Sequence, residues 1–389
     1  MLVLKRGGIC SPAGFYSLGE NIGIKKSKKD FCVIFTEKPA NAAGVFTKND
    51  VKGAPVIVSS RKIRSGKAQA IVVNSGIANV CTGRRGIRDA EETTRLVARE
   101  LGVEERLVLV ASTGLIGAFL PMGKIREGVK GIKKRLGRDS ITAAEAIMTT
   151  DLLKKHVAVR VGKATIGAMA KGSGMINPNM ATMLAFITTD ADIPAPKLRQ
   201  MLKASVDKSF NMVTVDNDTS TSDSVFMLAN GFAKGKVDYG QFWKALDYVC
   251  LELAKMVAMD GEGATKLVEV AVKNAASEKQ ARLVAKTVVG SNLVKSAMFG
   301  NDPNWGRIVC AAGYSKASVK PEKMSVFIGS KKIVSRGIGT KFNEKEISGL
   351  LKKKLVKITI DLGSGKKSAT AYGCDLTYDY VKINADYST

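Results

Sequence analysis

Near the middle of the chain, the run Lys171–Asp190, KGSGMINPNMATMLAFITTD, sets a condition that any fold of this sequence must meet. A stretch rich in Gly, Asn and Pro ends at Ala181, and Thr182 then opens an apolar, β-branched segment that reads as a strand. The residues alone leave two readings. One is an ordinary loop leading into a strand. The other is a self-cleaving junction, in which Thr182 Oγ attacks the carbonyl of Ala181, the peptide shifts to an ester, and water releases a new chain that starts at Thr182. The freed α-amine would then be the base for its own hydroxyl, a threonine–amine pairing used in nucleophilic catalysis.

Few other catalytic arrangements are open to this chain. It has one histidine, His156, so a Ser-His-Asp or Cys-His constellation can be built in only one way. His156 lies in HVAVRVG, an alternating stretch that reads as an ordinary strand. A free α-amine has an unperturbed pKa of about 7.7–8.0, near enough to working pH to act as general base without histidine.

Composition sets the outer bounds. The 389 residues are enough for one large or two moderate domains with a sizeable core. No apolar run approaches the roughly 18 residues a membrane helix requires, and the start, MLVLKRGGICSPAG, lacks a secretory signal pattern. The six cysteines (Cys10, Cys32, Cys81, Cys250, Cys310, Cys374) are scattered, with no CxxC pair. They suit buried thiols in a reducing cytoplasm, and no metal site is expected. A formal net charge of +26 invites nucleic acid. Against that, aromatics are only 6% and no RNA- or DNA-binding motif is present. The basic clusters are short: Lys25-Lys26 with Lys28-Lys29, and Lys352-Lys353-Lys354 in an expected helix, Asn343–Leu355, where they read as a solvated face. Abundant lysine also fits a heat-adapted surface, and a positive field gathers small anionic substrates.

Strand-like runs at Phe31–Phe35, Pro55–Ser59, Ala70–Asn74 and Leu107–Ala111 interleave with helical patterns such as Asp89–Leu101. The second half reads as strand Thr182–Thr188, helix Ala195–Lys208, strand Ser224–Leu228 and helix Tyr239–Met259. Strand Lys266–Lys273, helix Glu278–Met298 and alternating Met324–Ile333 and Val356–Asp361 follow. Irregular interleaving predicts an α/β fold of mixed sheets flanked by helices rather than a regular doubly wound one.

The glycine-rich segments do not make phosphate sites. GSGKKS, Gly363–Ser368, lacks the upstream glycine and the Gly-Lys-Ser/Thr order of a P-loop, and KGSG at Lys171–Gly174 precedes no helical pattern. ASTGLIG, Ala111–Gly117, ends a strand-like run with Thr113-Gly114. A threonine hydroxyl and a glycine N–H there can both point at one oxyanion, although Ser-Thr-Gly is also common turn material. DGEGATK, Asp260–Lys266, places carboxylates among glycines after a long helix and reads, on its own, as a helix end followed by a loop.

Taken in order, the motifs become specific. PAGF at Pro12–Phe15, GVFT at Gly44–Thr47, NSGIANVCTG at Asn74–Gly83 and STGLIG at Ser112–Gly117 lead into TTD at Thr149–Asp151. KGSGMINPNMATML at Lys171–Leu184, TVDNDTSTSDS at Thr214–Ser224, DGEGATK, FGNDPNWGRI at Phe299–Ile308 and INADYST at Ile383–Thr389 complete the series. In these segments, nearly from end to end, the chain resembles the ornithine acetyltransferase family, the self-cleaving ArgJ enzymes (glutamate N-acetyltransferases) of arginine biosynthesis.

The resemblance implies a precursor cut between Ala181 and Thr182 into an α chain, residues 1–181, and a β chain, residues 182–389. It implies Thr182 as nucleophile and Thr113 with Gly114 as oxyanion hole. Lys171, Thr182, Glu262, Asn384 and Thr389 fall on family substrate-binding positions, and Thr149 or Thr150 on another. N²-acetylornithine would acylate Thr182 and release ornithine, and glutamate would then take the acetyl group, with no external cofactor. Acetyl-coenzyme A enters as co-substrate only in bifunctional members. A self-cleaving amidohydrolase or aminopeptidase of similar fold is the alternative class. The family fold is an α/β, DmpA-like N-terminal-nucleophile arrangement, and its chains associate as an α2β2 heterotetramer in the cytoplasm, with neither nucleic acid nor membrane as partner. Lys171 suits a substrate carboxylate, or keeps the Thr182 amine neutral through like-charge repulsion. Three departures from the family pattern stand out: Asn177 in place of His or Ala, Asn217 in place of Gly, and Leu152 in place of Thr.

Overall fold

The computed structural model describes residues 1–177 and 183–386. They form two compact units, the first from residues 1–172, 183–211 and 219–253, the second from residues 173–177, 212–218 and 254–386.

The first unit is built on nine strands: β1 (Leu2–Val3), β2 (Phe15–Glu20), β3 (Phe31–Phe46), β4 (Lys67–Ile77), β5 (Val108–Leu115), β6 (Lys155–Val161), β7 (Ala164–Lys171), β8 (Leu184–Thr189) and β9 (Ser224–Ala229). Their order across the sheet is β1-β6-β7-β8-β9-β3-β4-β5, with β2 paired to β3. The pairs β4/β5 and β8/β9 are parallel and the rest antiparallel, so the sheet is mixed. The long β3 pairs β2 over Phe31–Thr36 and β9 over Asn41–Phe46, and it pairs β4 on both sides of a register shift between Phe35 and Ala40.

Both faces of this sheet are covered, which explains why its strands read as unbroken apolar runs rather than alternating ones. Cys32, Ile34, Ile71, Val73 and Leu109 pack on one face with Ala143 and Ala144 of the helix Ser140–Ala146. Phe31, Val33, Val72, Val108 and Val110 pack on the other, against Val58 of the helix Ala54–Lys62 and Val97 and Leu101 of the helix Gly83–Leu101. Each of these valines, leucines, isoleucines and the phenylalanine, fully buried, contributes roughly 1.5–3 kcal/mol.

The second unit holds β10 (Leu267–Ala275), β11 (Ser325–Ile328), β12 (Lys331–Ser335), β13 (Ile338–Gly339), β14 (Leu355–Asp361) and β15 (Lys367–Cys374), ordered β13-β12-β11-β14-β10-β15. Here one face carries the core. Val268, Val270, Val272, Val356, Ile358 and Ile360 meet Val284 and Val288 of the helix Glu278–Gly290, Val294 of Asn292–Gly300 and Ile308 of Trp305–Gly313. The α/β class with mixed sheets flanked by helices is the one the sequence predicts.

Four local expectations are corrected. Pro55–Ser59 is helical: Pro55 occupies the first turn, where its missing N–H costs nothing, and Val56-Ile57-Val58 follow it despite their β-branching. The expected helix Glu278–Met298 is two helices, because Ser291 turns extended and caps the second through its hydroxyl, which accepts from Val294 N at 3.4 Å. The expected helix Asn343–Leu355 runs only over Glu344–Leu351, capped by Asn343, so Lys352, Lys353 and Lys354 lie beyond it as an exposed turn into β14. Four cysteines are buried, but Cys81 and Cys310 are exposed.

Candidate active site

In the first unit, parallel pairing of β4 with β5 sets Ser75 opposite Thr113 and Gly76 opposite Gly114. Gly114 has φ +124°, and a Cβ there would stand 2.3 Å from the Gly76 carbonyl carbon, so only glycine fits. The strand end is held by buried polar bonds: Ser112 Oγ donates to Asn74 Oδ1 at 2.5 Å and Ser75 Oγ to the Ala146 carbonyl at 2.6 Å. Thr113 is itself buried. A fixed backbone and an adjacent hydroxyl are what a preorganised oxyanion site requires.

The TTD and KGSG segments are tied together by one carboxylate. Asp151, 4% exposed, accepts from Lys155 Nζ and Gly172 N at 2.7 Å each through Oδ1, and from Thr149 N at 2.9 Å through Oδ2. Burial pushes its pKa up, but the Lys155 and Lys171 ammoniums and these hydrogen bonds outweigh that and hold the carboxyl well below the usual range. Lys25 closes the other side. Its Nζ donates to the Met148 carbonyl at 2.6 Å, and its Cγ lies where a Cβ on Gly76 would come within 3.2 Å. Burial, with repulsion from Lys171, lowers the Lys25 pKa to about 8 against the attraction of Asp30. Along one rim of the unit, contacts thus run from Gly114 through Gly76 to Lys25, and from Lys25 to Met148, beside Thr149, and to the charge of Lys171.

The start of β8 lies on the same unit. Leu184 pairs with Lys171 of β7 on one side and with Ser224 of β9 on the other, and Ser224 N donates to the Met183 carbonyl at 3.1 Å. Ala181 and Thr182, the expected cleavage junction, lie outside the described residues, as does Thr389.

In the second unit, Glu262 and Asn384 meet. Asn384 Nδ2 donates to Glu262 Oε2 at 2.9 Å, and Glu262 N donates to the Ser173 carbonyl at 2.9 Å. The Glu262 carboxylate lies directly over Gly174, where a Cβ would stand 2.3 Å from Oε2. Asp216 accepts from Met175 N at 2.6 Å and Ile176 N at 2.8 Å. Burial, then the negative charges of Asp216 and Glu262, push the Tyr380 phenol well up. Two of the departures from the family pattern belong together: Asn177 Nδ2 donates to the Asn217 carbonyl at 2.9 Å, and Asn217, at φ +66°, occupies the left-handed region where glycine is the usual residue.

A model of the family described as "ArgJ family" matches residues 17–389. The chain belongs to the ArgJ family. It is 48% identical, over 100% of its length and 98% of the relative's, to an arginine biosynthesis bifunctional protein ArgJ of Oceanobacillus iheyensis. It is 49% identical to the protein of the same name from Symbiobacterium thermophilum, over 98% of this chain and 99% of that one. A solved ArgJ chain from Bacillus halodurans superposes with a TM-score of 0.51 at 46% identity, covering 52% of this chain and 98% of its own.

Asp151, Lys155 and Lys25 went unassigned in the sequence reading. Asp151 lies inside the quoted TTD motif, but its burial against Lys155, four residues on, is a tertiary fact. His156 is the expected strand residue of β6, its Nδ1 2.8 Å from the Gly7 carbonyl. Among the described residues no three His, Cys, Asp or Glu side chains are grouped to hold a metal ion, and no helix is long and apolar enough to cross a membrane.

Proposed function

We propose that this chain is a glutamate N-acetyltransferase of arginine biosynthesis that acts through Thr182 after severing its own backbone at Ala181–Thr182. The observation that carries the reading is identity near one half, over the whole length, with proteins named for arginine biosynthesis. A solved ArgJ chain that spans 52% of this one, at 98% of its own length, fits a precursor divided near its middle.

In the first half-reaction the Thr182 amine takes the hydroxyl proton and Oγ attacks the acetyl carbonyl of N²-acetylornithine. The tetrahedral oxygen is held by Thr113 Oγ and Gly114 N–H, and the proton passes to the departing ornithine nitrogen. The acetyl ester then meets the amine of glutamate, which repeats the steps in reverse. Lys171 takes a substrate carboxylate. Glu262 and Asn384 take the amino-acid end of the substrate, with Thr149 or Thr150 and Thr389 completing the contacts. No cofactor enters these steps, and the two pieces of the precursor associate as α2β2 in the cytoplasm.

A second donor is favoured by one observation: the relatives are named bifunctional. Acetyl-coenzyme A then acylates the same threonine, and glutamate is acetylated from scratch. Glutamate acetylation is assayed with each donor alone. Product from acetylornithine with ornithine released in equal amount is expected, and acetylornithine consumed without glutamate would instead mark an amidohydrolase.

A further inference from the structure

The loop between β2 and β3, residues 21–30, takes no part in either half-reaction, yet it is built against the end of β4. Asp30, which is buried, organises it. Its Oδ1 accepts from Ile22 N at 2.8 Å and its Oδ2 from Lys25 N at 2.7 Å, while its carbonyl accepts from Ser75 N at 2.8 Å. Hydrogen bonds from backbone N–H groups to a carboxylate are among the stronger ones, so the loop is held firmly. Lys25 is thereby laid over Gly76. A Cβ on Gly76 would stand 3.2 Å from Lys25 Cγ, and one on Gly114 would stand 2.3 Å from the Gly76 carbonyl carbon. The lysine stem backs Gly76, and Gly76 backs Gly114.

The other end of the side chain reaches a different segment. Lys25 Nζ donates to the Lys29 carbonyl at 3.0 Å and to the Met148 carbonyl at 2.6 Å. Ser75 makes a companion bond, from Oγ to the Ala146 carbonyl at 2.6 Å. Residues 146–148 are therefore clamped twice to the end of β4, once by its own serine and once by the lysine lying over it. Thr149 follows directly. Its N–H and that of Gly172 go to Asp151, at 2.9 and 2.7 Å. Both acceptors of the half-buried Lys25 ammonium are neutral carbonyls, an arrangement that offsets desolvation less well than an ion pair does. What the two bonds supply is position: they tie the segment that carries Thr149 and Thr150 to the strand pair that carries Thr113 and Gly114.

We propose that Lys25 is a positioning residue of the transferase site, its stem backing the oxyanion strand pair and its ammonium holding the Thr149–Thr150 segment in place for substrate. This inference rests on the reading of Thr113 and Gly114 as oxyanion hole and of Thr149 or Thr150 as a substrate contact. Lys25 acts through those residues and touches neither substrate nor acetyl group. Its two ends do separable work. Losing the donor frees the Met148 carbonyl and loosens the substrate contact, which weakens binding. Losing the stem as well takes the support from behind Gly76, which slows the chemical step.

The test measures KM and kcat of the full-length protein for N²-acetylornithine and for glutamate. Lys25→Met keeps an unbranched stem over Gly76 but has no donor, so both KM values rise about tenfold while kcat stays within about twofold of wild type. Lys25→Ala raises KM alike and also lowers kcat about tenfold. Lys25→Arg keeps a donor and recovers most of the loss in KM. In a chain already carrying Thr149→Ala and Thr150→Ala, Lys25→Met raises KM no further, because the contact it supports is gone. Lys25→Met with wild-type KM for both substrates overturns the proposal, as does a loss of kcat alone or full additivity with the threonine pair. Lys25→Leu gives the same readings where Lys25→Met fails to fold. A threonine pair variant with wild-type KM instead refutes the substrate contact at Thr149 or Thr150, a separate result.

Discussion

Replacing Asp151 by asparagine tests how the rim of the first unit is held. The side chains of Asp151 and Lys155 are 0% and 1% exposed, and their contact is 2.7 Å. Asparagine keeps one acceptor oxygen, which serves Gly172 N or Thr149 N but not both, and it removes the negative charge that faces the buried Lys155 ammonium. Breaking such a pair costs about 3–5 kcal/mol, which for a unit of this size lowers Tm by roughly 6–20 °C. Adding Lys155→Met removes the stranded charge and restores more than half of the loss. The acid limb has a definite sign. Asp151 is depressed in the folded chain, so its contribution is complete above the unfolded carboxyl pKa of about 3.9 and is lost as pH falls below it. The gap between wild type and Asp151→Asn therefore narrows from pH 5 down to about pH 3. Calorimetric or circular-dichroism melts at several pH values measure this. A variant that melts within about 2 °C of wild type at pH 7, or a gap that widens in acid, refutes the reasoning.

Other outcomes follow from the same geometry. Gly114→Ala puts a Cβ against the Gly76 backbone, and glutamate acetylation falls more than about 100-fold together with a lowered Tm. Thr113→Ala lowers kcat about 10²–10³-fold, whereas Thr113→Ser, which keeps the hydroxyl, retains most of it. Glu262→Gln weakens the hold on the substrate's amino-acid end and raises KM about tenfold or more, with kcat less affected. Lys25 is lowered to about 8 in the folded chain, so the folded state sheds its proton first as pH rises. Wild type gains stability on Lys25→Met between pH 8 and the unfolded lysine value of about 10.4, measured as the difference between their melts.

The strands of the first unit were legible because burial on both faces writes β-branched runs such as Ile71-Val72-Val73 and Val108-Leu109-Val110 into the sequence. The same rule misled at Val56-Ile57-Val58, where Pro55 in the first turn was the better guide. Gly290-Ser291 carried a stop and a cap that the smooth apolar period of Glu278–Met298 hid. The candidate residues Thr113, Gly114, Lys171, Glu262 and Asn384 come from specific motifs and the resemblance those carry; the fold joins Glu262 to Asn384 and, through Asp151, Thr149 to Lys171's neighbour Gly172. Asp151 lies within a quoted motif and went unassigned. Lys155 is only four residues from Asp151, but the burial of that carboxylate and its bond from Gly172 N depend on the end of β7.

Intact mass of the purified protein tests the central claim most directly, with N²-acetylornithine added first and glutamate second. The account predicts two chains, the second beginning at Thr182, which gains one acetyl group from the first substrate and loses it to the other. A single uncut chain that still transfers acetyl groups, or an acetyl group carried on any residue but Thr182, would contradict it.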